Sequence, residues 1–207
     1  MQPRNSYDEG RARNADGAAP RPPIPARYSR RARTLHWLMA ALLAIQFVTA
    51  VLLPHIGRDA QLTTTINAHF SFGVIILVVA AVRFIQRLLN PVALEAALSP
   101  RWERFLARTT HLTFYVILLI GPFLGWASAS AHNLPVSLFG VIPLPALAAP
   151  KAAWAMTAGD IHTYANWTLL GLIALHVAAA LFHYFVRRDG VLQSMLPGLP
   201  ARTKPVS

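Results

Sequence analysis

The chain has 207 residues, of which 55% are hydrophobic and only 13% charged, with a mean hydropathy of +0.42; that leaves too little charge to clothe a soluble domain of this length. It contains no cysteine, which excludes disulfides, thiolate-held iron–sulfur clusters and groups attached through a C-x-x-C-H motif. The formal net charge of +11 admits nucleic acid or an anionic membrane surface as a partner, and the placement of the charges decides between them.

In chain order, residues 1–26 are rich in Arg, Ala, Pro and polar types and read as a disordered tail without the apolar core of a cleavable signal. Four runs free of Asp, Glu, Lys and Arg follow, at about 35–54, 62–82, 109–131 and 161–186. Each reaches the roughly 20 residues that a helix needs to cross a bilayer. Four such runs in so short a chain leave no polar shell to bury them, so the expected fold is an all-α membrane protein, a four-helix transmembrane bundle. Residues 132–160 are apolar but carry Pro135, Pro143, Pro145 and Pro150, which forbid a continuous helix; they are expected to form an external cap at the membrane surface. Residues 199–207 read as a flexible tail, leaving 27–198 as the membrane domain.

Basic residues cluster on one side of this pattern. Arg27, Arg30, Arg31 and Arg33 precede the first run, Arg83 and Arg87 follow the second, Arg101, Arg104 and Arg108 precede the third, and Arg187 and Arg188 follow the fourth. The other two connections hold only Arg58 and Lys151. Lys and Arg accumulate on the cytoplasmic side, so both termini and the middle loop are expected to be cytoplasmic. The +11 is then mainly a topology signal, and no interleaved aromatics support nucleic-acid binding.

Six of the eight histidines, His36, His69, His111, His162, His176 and His183, lie in or at the ends of the runs. A single intramembrane histidine is readily explained by a hydrogen bond to a neighbouring helix, but ionisable residues at that depth are expensive, and here their heights form pairs. His69 and His162 begin helices at the outer side, and His36 begins one at the inner side. His176 follows His162 by 14 positions (176 − 162), about 21 Å deeper and within about 40° of the same face. The expected pairs are His69 with His162, outer, and His36 with His176, inner. By depth alone His183 could also face His36, at about 31 Å from the outer level; the His176 choice keeps the two levels closer. Opposed neutral imidazoles suit both axial positions of a haem iron wedged between helices. Zinc, which gathers three or four converging donors, fits such pairs poorly. His111 and His183 share an inner depth where they could border a quinone pocket and exchange protons with it.

Small and aromatic residues complete the pattern. Gly73 lies one turn beyond His69, and its missing Cβ would let a planar ring approach the backbone; Gly121, Gly125 and Gly171 could act similarly or simply pack helices. Trp37, Trp126, Trp154 and Trp167 fall near the expected interfaces as an aromatic belt.

Several stretches together resemble the prokaryotic cytochrome b561 family: Arg33-Thr-Leu-His36-Trp37-Leu-Met-Ala, His69-Phe-Ser-Phe-Gly73, Pro122-Phe-Leu-Gly125-Trp126, and His176-Val-Ala-Ala-Ala-Leu-Phe-His183 followed by Arg188-Asp189-Gly190. The resemblance covers roughly residues 27–198. It implies a multi-pass cytochrome of the bacterial inner membrane with two non-covalent haem b groups, whose axial ligands fall on His36, His69, His162 and His176. It implies a quinone end near His111 and His183. It also implies an oxidoreductase of the superoxide:ubiquinone type, moving single electrons between superoxide or another external donor and ubiquinone. The alternative is a haem-bearing anchor subunit that relays electrons from a partner dehydrogenase to quinone, with the apolar segment 132–160 as its docking surface.

Overall fold

The computed structural model describes residues 28–53, 62–90 and 100–196. The expected tails at 1–26 and 199–207, and Arg58 in the first connection, lie outside the described residues. Among those described, the regular elements are helices and one short hairpin: α1 Arg30–Val51, α2 Thr64–Leu89, α3 Arg101–Ala131, β1 Ser137–Leu138, β2 Ile142–Pro143, α4 Ala153–Phe182 and α5 Val191–Met195. A π-helical stretch, His183–Arg187, continues α4.

Four of these helices are long and apolar enough to cross a membrane, the fourth counted from Ala153 through Arg187. Even the shortest, α1 with 22 residues, spans about 33 Å against a hydrocarbon core of about 30 Å. Much apolar surface points outward along them, including Val48, Val78, Leu112 and Trp167. Such surface is favourable only against lipid or another apolar body.

The helices extend beyond the apolar runs because a charge bounds a hydropathic run without ending a helix. The Ser29 Oγ accepts from the Ala32 amide and so caps α1, and Thr63 Oγ1 does the same for Ile66 in α2. Helix α3 starts at Arg101 rather than near Thr109, directly after Pro100, with Glu103 in its first turn. Helix α4 starts at Ala153 rather than Ile161. The segment Ala152-Ala153-Trp154-Ala155-Met156 has strong helical propensity once Pro150 is passed, so 153–160 of the expected cap is helical and Asp160 sits inside the helix.

Helices α1 and α2 form one packed pair and α3 and α4 another, joined by contact of α2 with α3. Met39, Leu42, Ile76, Ala80, Leu118 and Leu169 make the shared core. Within the remainder of the cap, otherwise turns and irregular backbone, lies the β1–β2 hairpin, with Ser137 opposite Pro143 and Leu138 opposite Ile142. It is tied to α2 by the fully buried Ser71, whose Oγ accepts from the Phe139 amide at 2.7 Å and lies 2.7 Å from the Asn67 carbonyl. Phe139 is held in the left-handed region at φ 49°. At the other end Arg188, also left-handed at φ 52°, turns the chain into α5. There Trp37 Nε1 donates to the Met195 carbonyl at 2.9 Å, latching α5 to α1. Trp126 Nε1 donates to the Pro145 carbonyl, while Trp154 and Trp167 remain exposed.

Candidate functional site

Two histidine clusters lie at opposite ends of the bundle, one near the hairpin and one near α5. At the hairpin end the rings of His69 on α2 and His162 on α4 face each other with centroids 6.4 Å apart, their planes crossing at 89°. At the far end His36 on α1 and His176 on α4 stand 6.2 Å apart at 62°. The pairs expected from spacing are therefore adjacent in space. Each pair spans from one helical hairpin to the other, with both α4 rings on the stripe that the 14-residue separation predicts.

Ring centres near 6 Å are compatible with two imidazoles bound to opposite sides of one metal ion, given metal–nitrogen bonds of about 2 Å on each side. The protonation pattern at the hairpin end also suits ligation. His162 Nδ1 donates to the Gly121 carbonyl at 2.8 Å, leaving Nε2 as an acceptor 3.0 Å from Asn166 Nδ2. His69 Nδ1 faces Thr49 Oγ1 at 3.3 Å, and its Nε2 faces Gln46 Nε2 at 3.2 Å. Thr49 Oγ1 donates its own proton to the Gln46 carbonyl, so its oxygen is free to accept from Nδ1. Both rings thus offer an Nε2 lone pair, the tautomer a metal requires, fixed by the partner of the other nitrogen. Gln46 Oε1, beside the pair, is buried without a donor.

The space around His162 depends on Gly125. A Cβ built there would lie 3.0 Å from Cε1, 3.1 Å from Nε2 and 3.2 Å from Nδ1 of the imidazole. Gly121 contributes through its carbonyl rather than through open space. A Cβ on Gly73 would meet only Gln46 Nε2, at 3.6 Å, and one on Gly171 would meet nothing within 4 Å. Of these four glycines, Gly125 is the one whose missing Cβ the His162 ring itself requires.

The far cluster is larger. His176 is flanked by His111 and Phe114, each with its ring 5.7 Å away. His111 donates from Nδ1 to the Ala107 carbonyl one turn back, at 2.6 Å. His183 is instead engaged by Asp189: its Nδ1 pairs with Asp189 Oδ2 at 2.6 Å, while Asp189 Oδ1 accepts from the Val191 amide. The alternative inner pairing of His183 with His36 is thus not the one the fold forms, and His111 and His183 have different neighbours. Arg83 Nη2 contacts His36 Nδ1 at 3.3 Å, and its Nη1 donates to the Ala32 carbonyl at 3.1 Å.

Sequence reasoning passed over Thr49, Gln46, Asn166 and the approach of Arg83 to His36. Three of these carried a visible signal. Gln46 interrupts an apolar run, Asn166 follows His162 by one helical turn, and Arg83 follows His69 at the same 14-residue separation (83 − 69) as His176 follows His162.

The sequence model of the family described as Prokaryotic cytochrome b561 matches residues 27–198. Among curated proteins, the chain is 27% identical over 173 residues to Cytochrome b561 homolog 2 of Escherichia coli (strain K12), covering 83% of this chain and 92% of that one. It is 26% identical over 176 residues to Cytochrome b561 homolog 1 of the same organism, covering 83% and 97%. It is 27% identical over 163 residues to a Yersinia pestis protein named "Probable superoxide oxidase CybB", covering 79% and 92%.

Proposed function

The chain belongs to the prokaryotic cytochrome b561 family, multi-pass membrane proteins that bind haem b and transfer electrons, and from that premise we propose that it holds two haem b groups and moves single electrons from superoxide to membrane ubiquinone. The observation that carries the two-haem reading is the pair of facing imidazoles at each end of the bundle. His69 and His162 would hold one haem, and His36 and His176 the other. When bound, each haem would supply a one-electron iron couple, and an iron held by two imidazoles would favour electron transfer over binding of oxygen at the metal.

The chain sits in the bacterial inner membrane with both termini cytoplasmic, which the bias of Lys and Arg supports. The hairpin end then faces outward, and the end with His36, His111, His176 and His183 faces inward. Superoxide as the donor rests on the name of the Yersinia relative. Each superoxide gives up one electron and leaves as dioxygen. Ubiquinone takes two electrons and two protons to become ubiquinol, so two superoxide ions are consumed per quinone. The protons come from the inner end, where the imidazoles of His111 and His183 border the quinone.

Haem content and a reduced-minus-oxidised spectrum of detergent-purified protein test this. The expected result is about two non-covalent low-spin haems per chain, with His36→Ala and His69→Ala each removing one. An unchanged haem count in both variants would defeat the ligand assignment. Reduction of a soluble ubiquinone analogue by the purified chain under a superoxide flux tests the donor. Failure of that reaction with both haems present would favour the anchor-subunit reading, in which the exposed Phe139, Val141 and Ile142 of the hairpin dock a partner dehydrogenase.

A further inference from the structure

The two ends of the bundle differ in charge at the imidazoles. At the hairpin end each Nδ1 faces an acceptor, Thr49 Oγ1 for His69 and the Gly121 carbonyl for His162. Donation to an acceptor lends an imidazole negative character and favours the oxidised state of a metal bound to it. At the other end His36 Nδ1 faces a guanidinium, which carries donors only. Arg83 takes no part in the ion pairs that join His183 to Asp189 and Arg187 to Glu103.

The fold holds this cation in place. Arg83 stands on α2 where His176 stands on α4, 14 residues beyond the histidine of the hairpin end, and so on nearly the same face and at the opposite end of the stripe. Its other nitrogen is anchored on the Ala32 carbonyl, which as the residue one turn before His36 would otherwise be open to the His36 Nδ1–H. His111 and His132 make that local bond, to Ala107 and Ser128.

We propose that Arg83 is a positioning residue that raises the reduction potential of the haem held by His36 and His176 above that of the haem held by His69 and His162. The inference rests on the two-haem reading given above. Reduction adds an electron, so a fixed cation beside the metal favours the reduced form, and the partly apolar surroundings screen it less than water would. This biases electrons towards the end of the bundle assigned to the quinone.

The test is a spectroelectrochemical titration of the purified holoprotein and of Arg83→Gln and Arg83→Lys. Loss of the charge in Arg83→Gln is expected to make one haem about tenfold harder to reduce, a fall of about 59 mV for a one-electron couple, and to leave the other in place. Arg83→Lys keeps the charge and is expected to restore most of the difference. The shift should persist in a His69→Ala background and vanish in a His36→Ala background. Two bound haems with neither midpoint moved, or both moved equally, would overturn the role of Arg83 while leaving the ligand assignment intact. So would a fall in Arg83→Lys as large as in Arg83→Gln. Should Arg83→Gln fail to retain haem, the Arg83→Lys midpoint alone decides. Wild-type protein without two haems would overturn the underlying reading itself.

Discussion

Replacing Gly125 by alanine should displace the His162 ring and weaken haem binding at the hairpin end alone. The new Cβ would lie 3.0–3.2 Å from three ring atoms, whereas ordinary contacts begin near 3.4 Å, so ring or helix must give by about 0.4 Å (3.4 − 3.0). The ring has little freedom to yield, because its Nδ1 is bonded to the Gly121 carbonyl at 2.8 Å, on the same helix as the intruding methyl group. Overpacking of this kind costs about 1–3 kcal/mol. If that strain falls on the liganded state, haem affinity at this pair drops roughly 5- to 140-fold. The assay is haem content under limiting haem, with the low-spin spectrum as a second readout. The expected outcome is a partial loss that leaves one haem, that of His36 and His176, at full occupancy; Gly125→Val should lose more. Full low-spin occupancy in Gly125→Val would refute the claim that this glycine makes room for the ligand. Equal loss at both pairs would point to general misfolding instead.

Ser71→Ala should leave the Phe139 amide without the buried Ser71 hydroxyl as its acceptor and cost about 1 kcal/mol, seen as faster hydrogen exchange across the hairpin with haem content unchanged. An unaltered exchange profile would mean that Ser71 does not anchor the hairpin. Asp189→Ala removes the acceptor of both His183 Nδ1 and the Val191 amide. It should destabilise α5 by about 1 kcal/mol, measured as faster exchange at 191–196, whereas exchange confined to wild-type rates would show that the Trp37 latch suffices.

The sequence by itself determined the four crossings and the height of each histidine. Run length sets whether a helix can span hydrocarbon, and a rise of about 1.5 Å per residue converts position into depth, so both are one-dimensional quantities. The 14-residue separation of His162 and His176 placed both rings on one stripe of α4 for the same reason. Helix ends were less accessible, because hydropathy marks where lipid would stop rather than where hydrogen bonding stops. Asp160 ended the apolar run but lies inside α4, whose start follows from Pro150 and the alanines after it.

Tertiary structure decided what touches each imidazole. Whether His36 meets His176 or His183 depends on the rotation of α1 against α4, and depth alone left both open. Gly125 and Gly171 look alike in sequence, yet only the first faces a ring, because two helices must cross before a missing Cβ acquires a neighbour. Arg83 read as one more charge of the basic side until α1 and α2 were packed together, which set its guanidinium on His36. Spacing along one helix gives depth and face, but a contact between helices needs the relative rotation and approach of both, and only packing fixes those.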